Sequence, residues 1–350
     1  MRFWLLSGFL AVAAVLAVVC RSAVAAEPPA PMLGLPLDCP AGKSCPVRNY
    51  VDHDAGPGVA DYSCGALSYD GHKGSDFAVH DPALVRRGVA VLAVAAGRVL
   101  RLRNSEPDHI LGQPLDRRRF AGRECGNGVV IDHGGDWQSQ LCHLRRGSIT
   151  VRPGQSLAAG QQLGLIGLSG KSEFHHVHLV LRHRGEVVDP FVGRRGAGTC
   201  GDTGAAGGKS PSRSALWQPA LAARLGYVAS GLIATGFSPQ VPKMAEVVAG
   251  GQRHTRLGRQ APNLVFWVLI YGRHPGDHEF LRFLGPDGAV IAQARGGPVT
   301  RHKARWFKFI GKRGRRPWAA GTYVGEYRLL RLRGQSLREV LKVDRKLEVR

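Results

Sequence analysis

Five side chains able to do chemistry stand in three short stretches of this 350-residue chain. In "SYDGHKGSDFAV", residues 68–79, His72 and Asp76 are four residues apart, an even interval that returns both to one face of an extended strand. A helix would also bring them together. Gly71 and Gly74 argue against one, because each costs about 1 kcal/mol relative to alanine in a helix interior. By itself such a pair is more often a surface turn than a metal site. In "HHVHLVL", residues 175–181, His176 and His178 share one face of an apolar strand. Imidazoles are costly to bury unless paired or liganded, so a metal is the economical explanation for two on one face. His175 points the other way and is read as a bystander.

The elements that must hold these side chains are β-strands. "CGNGVVIDHGGDWQSQLCHL", residues 125–144, reads as a hairpin: Val129, Val130 and Ile131 are β-branched and "HGGD" supplies the turn. Folding about Gly134 and Gly135 brings Cys125 and Cys142 to neighbouring strand positions and leaves His143 at the end of the second strand. A lone histidine there says little without partners.

Together the three segments, His72-x-Gly74-x-Asp76, His143-Leu144 and His176-x-His178, resemble the signatures of the lysostaphin and LytM-type zinc metallopeptidases. The intervening text "GVAVLAVAAGRVL", "GNGVVIDHG", "SLAAGQQLGLIGLSG" and "VVDPF" looks like that family's successive β segments, over about residues 60–193. The resemblance implies that His72, Asp76 and His178 hold Zn2+. Three protein ligands leave the fourth position open, as catalytic zinc requires. It also implies that His143 and His176 stay uncoordinated beside the metal as catalytic residues, sharing proton transfer and oxyanion stabilisation, and that the substrate is peptidoglycan. Leu179 and Val180 stand where many members carry an aromatic residue and a glutamate, which bears on substrate preference rather than on the metal site.

The expected fold is mostly β: an antiparallel β-sheet metallopeptidase domain at 66–193 followed by a small β-sandwich-like domain. Residues 1–26 read as a secretory signal peptide, with an apolar run and then Ala23-Val24-Ala25-Ala26. The expected location is therefore periplasmic or secreted. Residues 27–65 read as a disulfide-tied N-terminal segment, 103–124 as a loop at the groove rim, 194–213 as a linker, and 214–350 as a basic β-rich accessory domain. Six cysteines follow the signal. In an oxidising compartment six cysteines suggest three disulfides, of which two can be argued, Cys39 with Cys45 by closeness and Cys125 with Cys142 across the hairpin, while a bridge from Cys200 back to Cys64 is one option for the third. His254, His274, His278 and His302 are given no role.

The net charge is +22, and the last fifty residues hold sixteen Lys and Arg against four Asp and Glu. In a cytosolic protein that balance would argue for nucleic acid. An exported chain points instead to anionic envelope polymers or lipid head groups, with no nucleic-acid partner. Three functions compete: a zinc endopeptidase of peptidoglycan, a non-catalytic wall-binding regulator of other hydrolases, and, resting on charge alone and weakest, a nucleic-acid binder. All five site residues are present, which favours the enzyme. For the signal, N-terminal sequencing of the exported protein should begin at Glu27; an intact Met1 on exported material would refute cleavage.

Overall fold

The computed structural model describes residues 29–39, 45–193 and 215–350. The expected signal peptide, the linker and Cys200 lie outside the described residues. The protein is mostly β with antiparallel sheets, as expected.

Ten strands build the first part. They are β1 (Val47–Asn49), β2 (Ser75–Ala78), β3 (Ala90–Leu92), β4 (Gly97–Arg103), β5 (Asn127–Asp132), β6 (Trp137–Leu144), β7 (Ser156–Leu157), β8 (Gln162–Leu165), β9 (His176–His183) and β10 (Glu186–Val188). Eight of them form one antiparallel sheet in the order β1-β2-β9-β6-β5-β4-β7, with β10 also paired to β9. β3 and β8 pair separately. The β5–β6 hairpin forms as expected, and Cys142, opposite Gly128, is disulfide-bonded to Cys125. Cys39 is bonded to Cys45. Cys64 is disulfide-bonded as well, and its expected partner lies outside the described residues.

The N-terminal segment is more than a wrapping. It supplies β1, the edge strand on β2, because the short run Val47–Asn49 is presented to β2's free hydrogen-bonding edge. It is held there by aromatic packing: Tyr50 and Tyr62 lie 5.0 and 5.1 Å, centroid to centroid, from Phe191. Trp217, Leu221 and Leu225, beyond the expected linker, also pack into this first core.

The loop after β4 is ordered by its own contacts. A 3-10 turn covers Arg117–Phe120 and buries Phe120. Asp108 accepts hydrogen bonds from the backbone N–H groups of Arg146 and Leu168.

Eight further strands follow: β11 (Gly231–Ser238), β12 (Arg256–Leu257), β13 (Asn263–Tyr271), β14 (His278–Leu284), β15 (Val290–Gly296), β16 (Trp306–Arg313), β17 (Gly321–Arg333) and β18 (Ser336–Val349). They make a three-stranded sheet, β11-β13-β16, and a five-stranded sheet, β12-β18-β17-β14-β15. Phe237, Phe266 and Ile310 of the first sheet and Phe283, Tyr327 and Leu347 of the second share one core, the arrangement of a β-sandwich. The unbroken apolar run of β13 has a simple cause. Phe266, Val268 and Ile270 face that core, while Trp267 and Leu269 meet Val247 of a short helix, Met244–Val248, on the other side. His278 opens β14, its backbone paired with Leu330.

The two parts touch at His80, which follows β2 and lies 6.0 Å from Tyr271 of β13, ring to ring. Burial, with the Arg48 charge, pushes the His80 pKa down to about 3. The unfolded imidazole titrates near 6.5, so below that pH the unfolded chain binds a proton that the folded chain refuses, and stability falls as pH falls. Between pH 6 and pH 4 the parent should lose stability more steeply than His80→Gln, by about 1.4 kcal/mol per pH unit. Urea midpoints of the two proteins measured in parallel test this; equal slopes would show that His80 is protonated in the fold.

Candidate metal centre

Register places the candidate ligands. In the β2–β9 pairing Asp76 stands opposite His178 and Ala78 opposite His176, and residues directly opposite in a ladder share a face. His178 and His176, two apart on β9, therefore both turn toward Asp76. His72 precedes β2 in a turn and comes to the same place. Its Nε2 lies 3.1 Å from His178 Nδ1 and 3.3 Å from Asp76 Oδ1, and His178 Nδ1 lies 2.8 Å from Asp76 Oδ1. The ligand atoms of His72, Asp76 and His178 all fall within 4.8 Å of one another.

The turn can pass this close because residue 74 is glycine. A Cβ there would stand 2.5 Å from the Leu179 carbonyl oxygen and 2.7 Å from His178 Cε1.

His143 reaches the site by breaking a rule. In a regular strand it would face away from its neighbour Cys142, which is opposite His178 on β9. Its φ of 67°, left-handed and rare for a residue with a side chain, breaks that alternation. The His143 ring then lies 4.6 Å from His176 and 6.1 Å from His178. His175 lines a different cavity and takes no part in the metal cluster.

Backbone carbonyls fix three of the imidazoles. His72 Nδ1 donates to the Tyr50 carbonyl at 2.6 Å, His143 Nδ1 to that of Ser169 at 2.9 Å, and His176 Nδ1 to that of Phe174 at 2.8 Å. Each bond commits the Nδ1 proton and leaves Nε2 as the free lone pair. Asn49 Nδ2 donates to Asp76 Oδ2 at 2.8 Å, so Oδ1 is left for the centre.

Burial opposes ionisation of Asp76, but the His72 and His176 imidazoles and the bond from His178 overcome it and hold its pKa well below the usual carboxylate range. Burial, reinforced by His176 and His178, holds the His143 imidazole well below the usual histidine range, and burial likewise lowers His176.

A small cation satisfies this donor set. Two imidazole nitrogens and one carboxylate oxygen converge, and the outer atoms of His72 and Asp76 are already bonded to Tyr50 and Asn49. Those residue types match the three-ligand pattern of catalytic zinc. A groove of about 480 Å³ opens beside the cluster, lined by Tyr69, Lys73, His143, Lys171 and Arg182 among others. Val180 also lines it, whereas Leu179 is fully buried, so of the two departures from the family pattern only Val180 meets the groove.

Asn49, Tyr50 and Ser169 are site residues that sequence reasoning missed. Asn49 is 27 positions from Asp76, and Tyr50 acts through its carbonyl, which any residue type could supply. No local pattern marks either.

With this geometry in hand, residues 70–190 match the family model Peptidase family M23, and this part of the chain is an M23 peptidase domain. Over 64 residues the chain is 39% identical to the peptidoglycan DD-endopeptidase ShyA of Vibrio cholerae; the match covers 18% of this chain and 14% of that protein. Among solved structures the chain is similar to a zinc containing peptidase from Vibrio cholerae, at 24% identity and TM-score 0.29, covering 43% of this chain and 37% of that one. The catalytic domain of lysostaphin from Staphylococcus simulans aligns at 19% identity and TM-score 0.27, covering 41% of this chain and 85% of that one.

Two substitutions test how the centre is held. Asn49→Ala removes the bond that orients Asp76, and Gly74→Ala pushes a methyl group against His178. Each should weaken zinc affinity about 10- to 100-fold, the usual cost of disturbing the groups behind a metal ligand. Competition with a chromogenic chelator measures this, and unchanged affinity in both would show that the centre does not depend on these supports.

Proposed function

We propose that the chain is an exported zinc metalloendopeptidase that hydrolyses peptide cross-links of bacterial peptidoglycan. The observation that carries this reading is the convergence of His72, Asp76 and His178 beside an open groove, with the His143 and His176 imidazoles next to them. The M23 match and the peptidoglycan endopeptidase among its relatives support it. The leader-like N-terminal segment and the cystine bridges, Cys39–Cys45 and Cys125–Cys142 among them, support export.

Zinc held by two neutral imidazoles and one carboxylate supplies Lewis acidity, which polarises a scissile carbonyl and acidifies water. His143 and His176 hold their Nδ1 protons on backbone carbonyls, so each presents Nε2 as a proton acceptor. Their lowered pKa values keep that lone pair free at neutral pH. An imidazole that receives a proton at Nε2 becomes a donor, able to bond to the oxyanion or protonate the leaving amine. Lys73, Lys171 and Arg182 against the single acid Glu124 give the groove a basic lining suited to a carboxylate-bearing peptide. The basic C-terminal domain is read as the part that holds the protein on anionic envelope polymers or lipid head groups.

His178→Ala should lose zinc and turnover together. His143→Ala and His176→Ala should keep stoichiometric zinc and lose roughly 100- to 10,000-fold in turnover, because proton transfer is removed while the ligands remain. Zinc is read by atomic absorption, and turnover by mass spectrometry of fragments released from purified peptidoglycan. No fragments from the parent protein would favour the wall-binding regulator. Zinc retained in His178→Ala would refute the ligand assignment.

A further inference from the structure

Away from the zinc groove, a second cavity of about 430 Å³ lies where the M23 domain meets the β-sandwich. Its walls are largely apolar, with Val85 and Ile110 on one side and Val247 and Leu269 on the other. Five arginines also line it, Arg48, Arg86, Arg145, Arg253 and Arg305, and no Asp or Glu does.

Arg48 is the unusual one. It is only 5% exposed, and no carboxylate among the described residues is within ion-pairing distance of it. One nitrogen donates to the Ala304 carbonyl at 3.1 Å, while its Nε has no hydrogen-bond partner. The guanidinium lies 4.3 Å from the centre of the Phe174 ring and 5.6 Å from that of Tyr271. Burial, together with the Arg305 charge, pushes its pKa down to about 10, so it is still a cation at neutral pH. Arg253 Nε and His80 Nε2, in the same walls, are likewise buried without a partner.

A buried guanidinium with an open donor and no carboxylate at ion-pairing distance is costly, even with the charges of Asp76 and Glu173 nearby. The walls supply aliphatic contact but no anion. Both deficits are met by one kind of ligand, a molecule with an anionic head and an aliphatic body.

We propose that this interdomain cavity binds a single-chain acyl carboxylate, with the carboxylate on Arg48 and Arg253 and the chain against Val85, Val247 and Leu269. Phe174 forms a common wall with the catalytic site, since its ring also stacks on His176 at 4.3 Å. The ligand would therefore sit behind the zinc groove, not in it.

Titration calorimetry on the full chain, with dodecanoate below its micellar concentration, tests the assignment without any hydrolysis readout. One dodecanoate should bind per chain. Dodecyltrimethylammonium, with the same tail and the opposite charge, and acetate, with the head and no tail, should each bind at least about tenfold more weakly, as expected when a charge-assisted bond or the apolar contact is lost. Two variants locate the site. Val248→Trp, on the helix at the cavity wall, fills the space, and Arg253→Gln removes a partly exposed cation; each should weaken dodecanoate about tenfold or more while circular dichroism confirms the native fold. The proposal is overturned if dodecanoate does not bind, if the cationic amphiphile binds as tightly, or if either variant binds as the parent does.

Discussion

Three polar atoms brought together inside a protein stay close only if protons or a cation lie between them. His72 Nε2, Asp76 Oδ1 and His178 Nδ1 are held in that relation, within 4.8 Å and largely out of water. The rest of the first domain can be understood as the means of keeping them there. β9 lies between β2 and β6, so Asp76 is fixed from one side and Cys142, with His143 after it, from the other. A one-residue slip of β9 would turn both its histidines to the opposite face. Five further antiparallel pairings in the same sheet oppose such a slip.

The groups behind the ligands come from the N-terminal segment. Tyr50 fixes the tautomer of His72, and Asn49 occupies the outer oxygen of Asp76. Both lie at the end of β1 or just past it, and the same Tyr50 packs its ring against Phe191 and Tyr227. One residue thus joins the core to His72: its side chain anchors the backbone, and its carbonyl positions the imidazole. Loss of aromatic packing here would loosen the site without touching a ligand.

The sandwich domain also reaches the back of the site. Arg305 pairs with Glu173 at 3.1 Å, Arg48 bonds to Ala304, and Phe174 lies between Arg48 and His176. Glu173 additionally pairs with Arg117 of the loop after β4. The segment Glu173–Phe174 therefore carries four contacts, with Arg305, Arg117, Arg48 and His176, that converge where β9 begins. The basic domain is thus joined to the first sheet through one exposed ion pair, Arg305 with Glu173, and one buried cation, Arg48, of which only the buried one is shielded from salt.

Residue type and spacing singled out His72 with Asp76 and His176 with His178 and set His175 aside, whereas joining these pairs with His143 took the resemblance of all three motifs to a known family. Alternation along a strand decides which side chains share a face before any tertiary contact is known. The same periodicity marked the β5–β6 hairpin, its Cys125–Cys142 bridge, and the short strands of the sandwich. What was not legible depends on pairings between distant segments. Three residues, Val47–Asn49, carry too little pattern to announce a strand, and they became one because β2 offered an unpaired edge. Tyr50 and Ser169 act through carbonyls that every residue possesses. His143 needed a left-handed φ that its residue type disfavours and only the surrounding fold could impose. The unpaired charge of Arg48 exists only because two domains close over it, and burial is a property of the packed molecule that a list of residues does not contain.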